Sequence, residues 1–140
     1  MNTIRSIHWV LLALALLTRT AATPASAADK SAAEAIKHVD IAGGAKLLGE
    51  NKSTVVLDVR TTEEFAGGHI AGARNLDFHA ADFEQQLARL DRAKTYLVHC
   101  ASGGRSGQSL EAFKKLKFES VYHLDGGFNA WKRAGKPVEK

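Results

Sequence analysis

Short apolar runs alternate along this chain with segments whose apolar residues recur at helical spacing. The runs have the composition of strands buried on both faces, and they cover residues 54–57, 96–98 and 121–124. The helical spacing predicts one helix capped by Asp40 and ending near Glu50, one over about 80–90, one marked by Leu110, Phe113 and Leu116, and one from Phe128 to about Arg133. Strands that alternate with helices predict an α/β fold with a mainly parallel sheet.

The first 27 residues follow a different pattern, which is typical of a secretory signal peptide. Arg5 precedes an apolar run over about residues 7–17, and small residues follow, ending in Ala25-Ser26-Ala27. A membrane anchor is the alternative, but spanning a bilayer takes about 20 apolar residues, and Arg19 follows closely after this shorter run. We therefore expect an exported protein, cleaved after Ala27 or Ala28, that resides in the periplasm, with the extracellular space as the alternative.

The rest of the chain has the composition of one globular domain. We expect residues 28–37 to be a lead-in segment, a short helix or flexible, and residues 38–138 to form the domain. The chain of 140 residues is 45% hydrophobic and 24% charged, and two arginines of its net charge of +4 leave with the signal peptide. The lysines at 114, 115 and 117 are interrupted by apolar residues at helical spacing, which predicts a solvated helix face and no nucleic-acid partner.

The chain has a single cysteine, Cys100, which excludes an intramolecular disulfide. Exported proteins normally pair their cysteines, so a lone thiol is either buried or has a chemical role. Cys100 and Asp58 each end a predicted buried strand. Because ligands bind at the carboxyl ends of parallel strands, the two residues predict a site at one edge of the sheet.

The loop that contains Cys100 has the composition of an anion cradle. It continues as Ala101-Ser102-Gly103-Gly104-Arg105-Ser106 into a predicted helix, whose first N–H groups and dipole attract anions. Gly103 and Gly104 allow successive N–H groups to curl inward, and Arg105 adds a fork suited to an oxyanion. This arrangement predicts a thiol pKa below the reference of about 8.5 and a reactive thiolate. The alternative is a core cysteine that precedes an ordinary glycine-rich turn.

Three ordered motifs give the chain a resemblance to the rhodanese-like domain family. The Cys100–Ser106 segment resembles that family's active-site loop, Cys-x-x-Gly-x-Arg-Ser/Thr. The upstream and closing motifs are Leu57-Asp58-Val59-Arg60, Glu64-Phe65, Gly68-His69-Ile70, Gly72-Ala73-Arg74-Asn75, Leu124-Asp125-Gly126-Gly127, Trp131 and Gly135-Lys136-Pro137-Val138. The resemblance implies one rhodanese-like domain, with a central, mainly parallel sheet flanked by helices on both faces.

The resemblance also implies a sulfurtransferase that carries sulfur as a persulfide on Cys100. A small anionic donor such as thiosulfate would supply the sulfur, and cyanide or a thiol would accept it, with no cofactor or metal. Backbone N–H groups from Ala101, Ser102, Gly103, Gly104, Arg105 and Ser106 would hold the persulfide, and Arg105 would close the loop. The chain departs from thiosulfate-preferring members at one point, because Arg105 is the only basic residue of its loop.

Two other function classes stay open, a cysteine-dependent phosphatase or arsenate reductase and a non-catalytic persulfide carrier. The loop favours sulfur chemistry over phosphate chemistry, because four residues separate Cys100 from Arg105 and the cysteine phosphatases that it resembles have five.

The remaining polar candidates are interpreted as structural. We expect an ion pair between Asp58 and Arg60, and Glu63 and Glu64 at a helix start. We expect His99 to be a hydrogen-bonded structural residue, His69 to fix a turn, and Trp131 to be core. His79 and His123 have no partners at ligand spacing, so we expect no metal site.

Overall fold

The computed structural model describes residues 34–140. The signal peptide predicted over 1–27 and most of the lead-in predicted over 28–37 therefore lie outside the described residues. In the described part, the strands are β1 (Ile36–Val39), β2 (Val55–Asp58), β3 (His69–Ile70), β4 (Arg74–Asn75), β5 (Thr95–His99), β6 (Ser120–Leu124) and β7 (Val138–Glu139). The helices are α1 (Ile41–Glu50), α2 (Thr62–Ala66), α3 (Phe83–Ala88), α4 (Gly104–Lys115) and α5 (Gly127–Arg133). Over residues 34–140 no helix has the length and apolar character needed to cross a membrane.

The main sheet has the strand order β1-β6-β5-β2-β4, and all of its neighbouring strands are parallel. β3 and β7 form a separate antiparallel pair. The α/β fold with a mainly parallel central sheet is thus confirmed. Asp58 and His99 are direct partners at the carboxyl ends of β2 and β5, so Asp58 and Cys100 do end neighbouring strands at one edge of the sheet, as the sequence predicted.

Successive side chains of each strand point to opposite faces of the sheet, and helices cover both faces. On one face, Leu57, Val98 and Val121 pack in a cluster with α3 and α4, through Leu87 and Phe113. On the other face, Val56, Leu97, Leu124 and Trp131 pack with residues of α1. Trp131 is 3% exposed, which confirms its prediction as a core residue.

Some of the helix and strand boundaries predicted from the sequence agree with the structure, and others differ. Asp40 caps α1 as predicted, since its Oδ1 accepts a hydrogen bond of 2.7 Å from the Gly43 N–H. The helix predicted over 80–90 is only the six residues of α3.

Ile36 and Lys37, which we expected in the lead-in, form the first half of β1. The sequence did not predict this strand because, among the described strands, β1 pairs only with β6, and its two middle residues are exposed polar side chains.

A buried ion pair joins the end of β2 to the loop that follows this strand, as the sequence predicted. Arg60 Nη2 lies 2.6 Å from Asp58 Oδ2, and their side chains are 5% and 0% exposed. The guanidinium also donates to the Gly68 carbonyl and lies 4.2 Å from the Phe128 ring centroid. Removing one partner of such a pair leaves the other charge buried and uncompensated, which is strongly destabilising.

We predict that Arg60→Met lowers the free energy of unfolding by about 3–5 kcal/mol, because Asp58 then loses its countercharge. The control is Lys115→Met, which removes an ion pair with Glu84 of the same 2.6 Å length whose side chains are 67% and 54% exposed. Exposed pairs contribute about 1 kcal/mol or less. Urea unfolding of both variants checks the prediction, and equal losses would contradict it.

Candidate active site

Cys100 lies directly after β5, with its thiol at the amino terminus of α4. Along β5 the side-chain alternation points Cys100 and Val98 toward the face covered by α4, and His99 toward the other face. Gly103 then reverses the chain with a φ of +108°, a conformation that favours glycine. As a result the Gly103 N–H donates to Cys100 Sγ over 3.1 Å, and the Ser106 hydroxyl lies 3.4 Å from the same sulfur.

These contacts determine the acidity of the thiol. Burial by itself raises the pKa of Cys100, which is 1% exposed. Hydrogen bonds from the Ser106 hydroxyl and from the backbone N–H groups of Ser106, Ser102 and Gly103 lower the pKa by more, so the net pKa lies below the ordinary thiol value. The thiol is therefore stabilised as a thiolate by donors on one side of the sulfur, as the sequence predicted for this loop.

The carbonyl groups of Cys100 and Ala101, in the same loop, bond to the amino terminus of α5. The N–H groups of Phe128 and Asn129 donate to the carbonyls of Cys100 and Ala101 over 2.8 and 3.0 Å. Gly127 allows this approach, because a Cβ there would lie 2.4 Å from the Cys100 carbonyl oxygen, and its φ is +56°. The closing Gly126-Gly127 motif thus holds the conformation of the Cys100 loop.

The Arg105 guanidinium is held by a carboxylate, and its charge also interacts with Cys100. Its Nη1 and Nη2 donate to the two oxygens of Glu64 over 2.6 and 2.8 Å. Glu64 is in the first turn of α2, where it also completes a capping box with Thr61. The expectation of Glu64 at a helix start is confirmed, but its pairing with Arg105 was missed, since 41 residues separate the two in sequence.

The Glu64–Arg105 pair ties the active-site loop to α2 over a wide pH range. Hydrogen bonding to Arg105 lowers the pKa of Glu64 to about 2 from its ordinary 4.5. A carboxyl group with a depressed folded-state pKa stabilises the fold above its ordinary pKa, and that contribution disappears as the pH falls toward 2. At neutral pH the loop is therefore fixed to α2.

His99 has the structural role that we expected. It is fully buried, and its Nδ1 donates to the Cys100 carbonyl over 3.1 Å. Its Nε2 has no hydrogen-bond partner among the described residues and lies 3.8 Å from Asp58 Oδ2. Burial, the largest influence, lowers the pKa of His99 and keeps the ring neutral. His69 is likewise structural, with its Nδ1 3.0 Å from the Phe65 carbonyl.

The expectation that His123 lacks partners is wrong. Its Nε2 lies 2.8 Å from Ser106 Oγ and 3.2 Å from the Gly103 carbonyl oxygen. Its Nδ1 lies 2.9 Å from Asp125 Oδ1 and 3.2 Å from His38 Nδ1. The pairing of β1 with β6 brings His38 into this group, and sequence spacing carries no sign of that pairing.

The comparisons with known proteins agree with this geometry. A family model for the rhodanese-like domain matches residues 43–134, which is more than half of the chain. The chain belongs to the rhodanese-like domain family, and the resemblance inferred from the three motifs is confirmed.

Particular relatives share both sequence and fold with this chain. The thiosulfate sulfurtransferase GlpE of Pseudomonas putida is 40% identical over 93 residues, which cover 66% of this chain and 81% of that protein. A protein of Synechocystis sp. is 36% identical over 93 residues, but the match spans only 51% of its length.

Solved structures with the same fold include a rhodanese-related protein from Thermoplasma volcanium, with a TM-score of 0.65 and 29% identity, covering 74% of this chain and 97% of that one. A Rhodopseudomonas palustris protein, described as of unknown function and a possible tyrosine phosphatase, has a TM-score of 0.62 and 25% identity, covering 80% of this chain and 90% of that one.

We predict that Ser106→Ala shifts the alkylation of Cys100 to higher pH, because the hydroxyl donor that lowers the thiol pKa is lost. At neutral pH the variant should be alkylated several-fold more slowly than the wild type. Ser109→Ala is the matched control, since Ser109 is one helical turn further, is equally buried and donates to the Ser106 carbonyl instead. A pH profile of iodoacetamide reaction checks this, and identical profiles for Ser106→Ala and wild type would refute the role of the hydroxyl.

Proposed function

We propose that this protein is a sulfurtransferase that moves sulfane sulfur from a small anionic donor, such as thiosulfate, to cyanide or a thiol through a persulfide on Cys100. The observation that carries the proposal is the convergence of the Gly103 N–H and the Ser106 hydroxyl on the sulfur of the only cysteine. Kinship with GlpE, which is itself named a thiosulfate sulfurtransferase, supports the same donor.

The reaction proceeds in two balanced half-reactions. First, the Cys100 thiolate attacks the outer sulfur of thiosulfate, a new S–S bond forms, the original S–S bond breaks, and sulfite leaves with the electron pair. Second, cyanide or a thiolate attacks the outer sulfur of the persulfide, and the bonding electrons return to Sγ. Thiocyanate or a new persulfide is released, and no external oxidant or reductant is consumed.

Burial of the thiol favours the transfer of a single atom. Because Cys100 is 1% exposed, a donor can reach it with a terminal sulfur more readily than with a bulky tetrahedral centre. The N–H groups that lower the thiol pKa also neutralise the negative outer sulfur of the persulfide. Arg105 fixes the loop, since Glu64 accepts one N–H from each of its Nη1 and Nη2, and its charge also interacts with Cys100. The backbone N–H groups complete the cradle that attracts the donor.

The phosphatase alternative has one supporting observation, the fold shared with the Rhodopseudomonas palustris protein described as a possible tyrosine phosphatase. Phosphoryl transfer requires that three non-bridging oxygens be held at once in the transition state. The four residues between Cys100 and Arg105 form a smaller ring than that reaction needs. A pocket that holds one outer sulfur is the better match to this loop.

We predict that thiosulfate adds one sulfur atom to the protein, and that cyanide then removes it as thiocyanate over many turnovers. Intact-mass analysis and thiocyanate formation measure the two half-reactions. Cys100→Ser should abolish both, because the chain has no other cysteine. The control is Ser102→Ala, which alters an exposed loop side chain and keeps the backbone N–H, and it should retain activity.

Other outcomes of the same experiment identify the alternatives. A persulfide that forms from a protein donor but does not turn over with thiosulfate would indicate a carrier. Hydrolysis of p-nitrophenyl phosphate by the wild type, lost in Cys100→Ser, would replace the proposal with a phosphatase.

We further propose that the protein is exported to the periplasm, on the evidence of the amino-terminal segment with Arg5, the apolar run over 7–17 and Ala25-Ser26-Ala27. The mature chain should then begin at Ala28 or Asp29. Amino-terminal sequencing of protein from the exported fraction measures this, with Ala27→Arg as a variant that should block cleavage. An intact Met1 in the cytoplasmic fraction would contradict export.

A further inference from the structure

We propose that His38, His123 and Asp125 form a binding site for one divalent transition-metal ion of the zinc class, adjacent to the Cys100 loop. Three potential ligand atoms meet there: His38 Nδ1, His123 Nδ1 and Asp125 Oδ1. Two imidazole nitrogens and a carboxylate oxygen suit zinc and its neighbours in the transition series better than magnesium or calcium, which prefer oxygen ligands throughout.

The distances among the three atoms are those of ligands around one ion. The two Nδ1 atoms lie 3.2 Å apart, and Asp125 Oδ1 lies 3.0 Å from His38 Nδ1 and 2.9 Å from His123 Nδ1. Zinc bonds of about 2.0–2.2 Å in a tetrahedron place neighbouring ligand atoms roughly 3.3 Å apart. The cluster is within a few tenths of an ångström of that spacing.

The sheet itself holds the ligands in position. His38 on β1 and His123 on β6 are direct partners in the parallel pairing of these strands. Their rings meet edge to face, with centroids 4.8 Å apart. The N–H of Asp125 donates to the Val39 carbonyl over 2.9 Å, which fixes the residue beside β1. The group is therefore preorganised by backbone pairing, which reduces the cost of ordering a site.

The contacts of His123 Nε2, the ring nitrogen that does not face His38 and Asp125, determine which nitrogen carries the proton. Nε2 lies 3.2 Å from the Gly103 carbonyl oxygen, which can only accept a hydrogen bond, and 2.8 Å from Ser106 Oγ. The Ser106 hydroxyl donates to Cys100 Sγ, 3.4 Å away, or to the Gly103 carbonyl oxygen, 3.1 Å away. In either case its oxygen is left to accept from Nε2–H. A neutral His123 then has its lone pair on Nδ1.

The lone pair of His123 Nδ1 faces a carboxylate oxygen at 2.9 Å and the Nδ1 of His38 at 3.2 Å. Without a metal, a proton on His38 Nδ1 can donate to Asp125 Oδ1 over 3.0 Å, and a metal ion would take the place of that proton. The side chains of His38 and Asp125 are 58% and 54% exposed, so the remaining coordination position faces solvent. The alternative to a metal is a proton on His38 Nδ1, hydrogen-bonded to Asp125, and the test separates the two.

A bound ion would link the cluster to the nucleophile. A metal on Nδ1 fixes the proton of His123 on Nε2, as the outer hydrogen bond of a ligating histidine commonly does. Nε2–H then donates to Ser106, and the Ser106 hydroxyl keeps its proton for Cys100 Sγ. The ion would also join β1 to β6 next to the loop.

The test uses Cys100→Ser protein, in which the thiol cannot capture the metal. Titration calorimetry with Zn²⁺ and visible absorption with Co²⁺ should give one ion per chain, with the absorption of a tetrahedral site. His38→Gln and Asp125→Asn change exposed side chains, and each should weaken binding by at least about tenfold. The matched control, His79→Gln, removes a histidine outside the cluster and should leave the affinity unchanged.

Failure to bind either metal would overturn the proposal and assign the cluster to a hydrogen bond between His38 and Asp125. Binding that His38→Gln and Asp125→Asn leave intact would overturn it as well. Because Cys100→Ser cannot transfer sulfur, the result is independent of the proposed function, and loss of sulfur transfer in the wild type would not alter it.

Discussion

The active site depends on two hydrogen bonds from the amino terminus of α5 to the carbonyl groups of Cys100 and Ala101. The carbonyl and the N–H of one peptide group point in opposite directions. Because these bonds hold two carbonyl groups toward α5, the N–H groups of the loop are free to face Cys100 Sγ. The close approach of the two segments is possible only because residue 127 has no Cβ. A glycine 27 positions after the cysteine is thus as much a part of the site as the loop itself.

The charged groups around the sulfur are held in place by other contacts. Glu64 accepts one N–H from each of Arg105 Nη1 and Nη2, and Asp58 neutralises Arg60 at the neighbouring strand end. The positive potential at Cys100 comes from backbone N–H groups, the Ser106 hydroxyl and the charge of Arg105, which these contacts keep in position when negative charge moves to the outer sulfur. The site is suited to a small anion with a single reactive atom.

Features encoded locally could be predicted from the sequence, and those that depend on strand order could not. The cap at Asp40, the buried strands and the glycine-rich cradle each follow from neighbouring residues. The contacts of Arg105 with Glu64 and of His123 with His38 bridge distant segments. The second pair exists because the first strand, β1, lies beside β6, and β1 itself was missed because Lys37 and His38 give it no apolar run. Only the assembled sheet brings these side chains together.

We infer that the fold, rather than the loop sequence alone, lowers the pKa of the Cys100 thiol. The most direct measurement is a pH titration of thiolate ultraviolet absorbance, which in this protein reports one thiol. The reference is an unstructured peptide with the sequence of residues 99–106, which has the same neighbours without α4 or α5. We expect a lower titration midpoint in the protein than in the peptide. A midpoint in the protein equal to or above that of the peptide would show that the fold does not lower the thiol pKa.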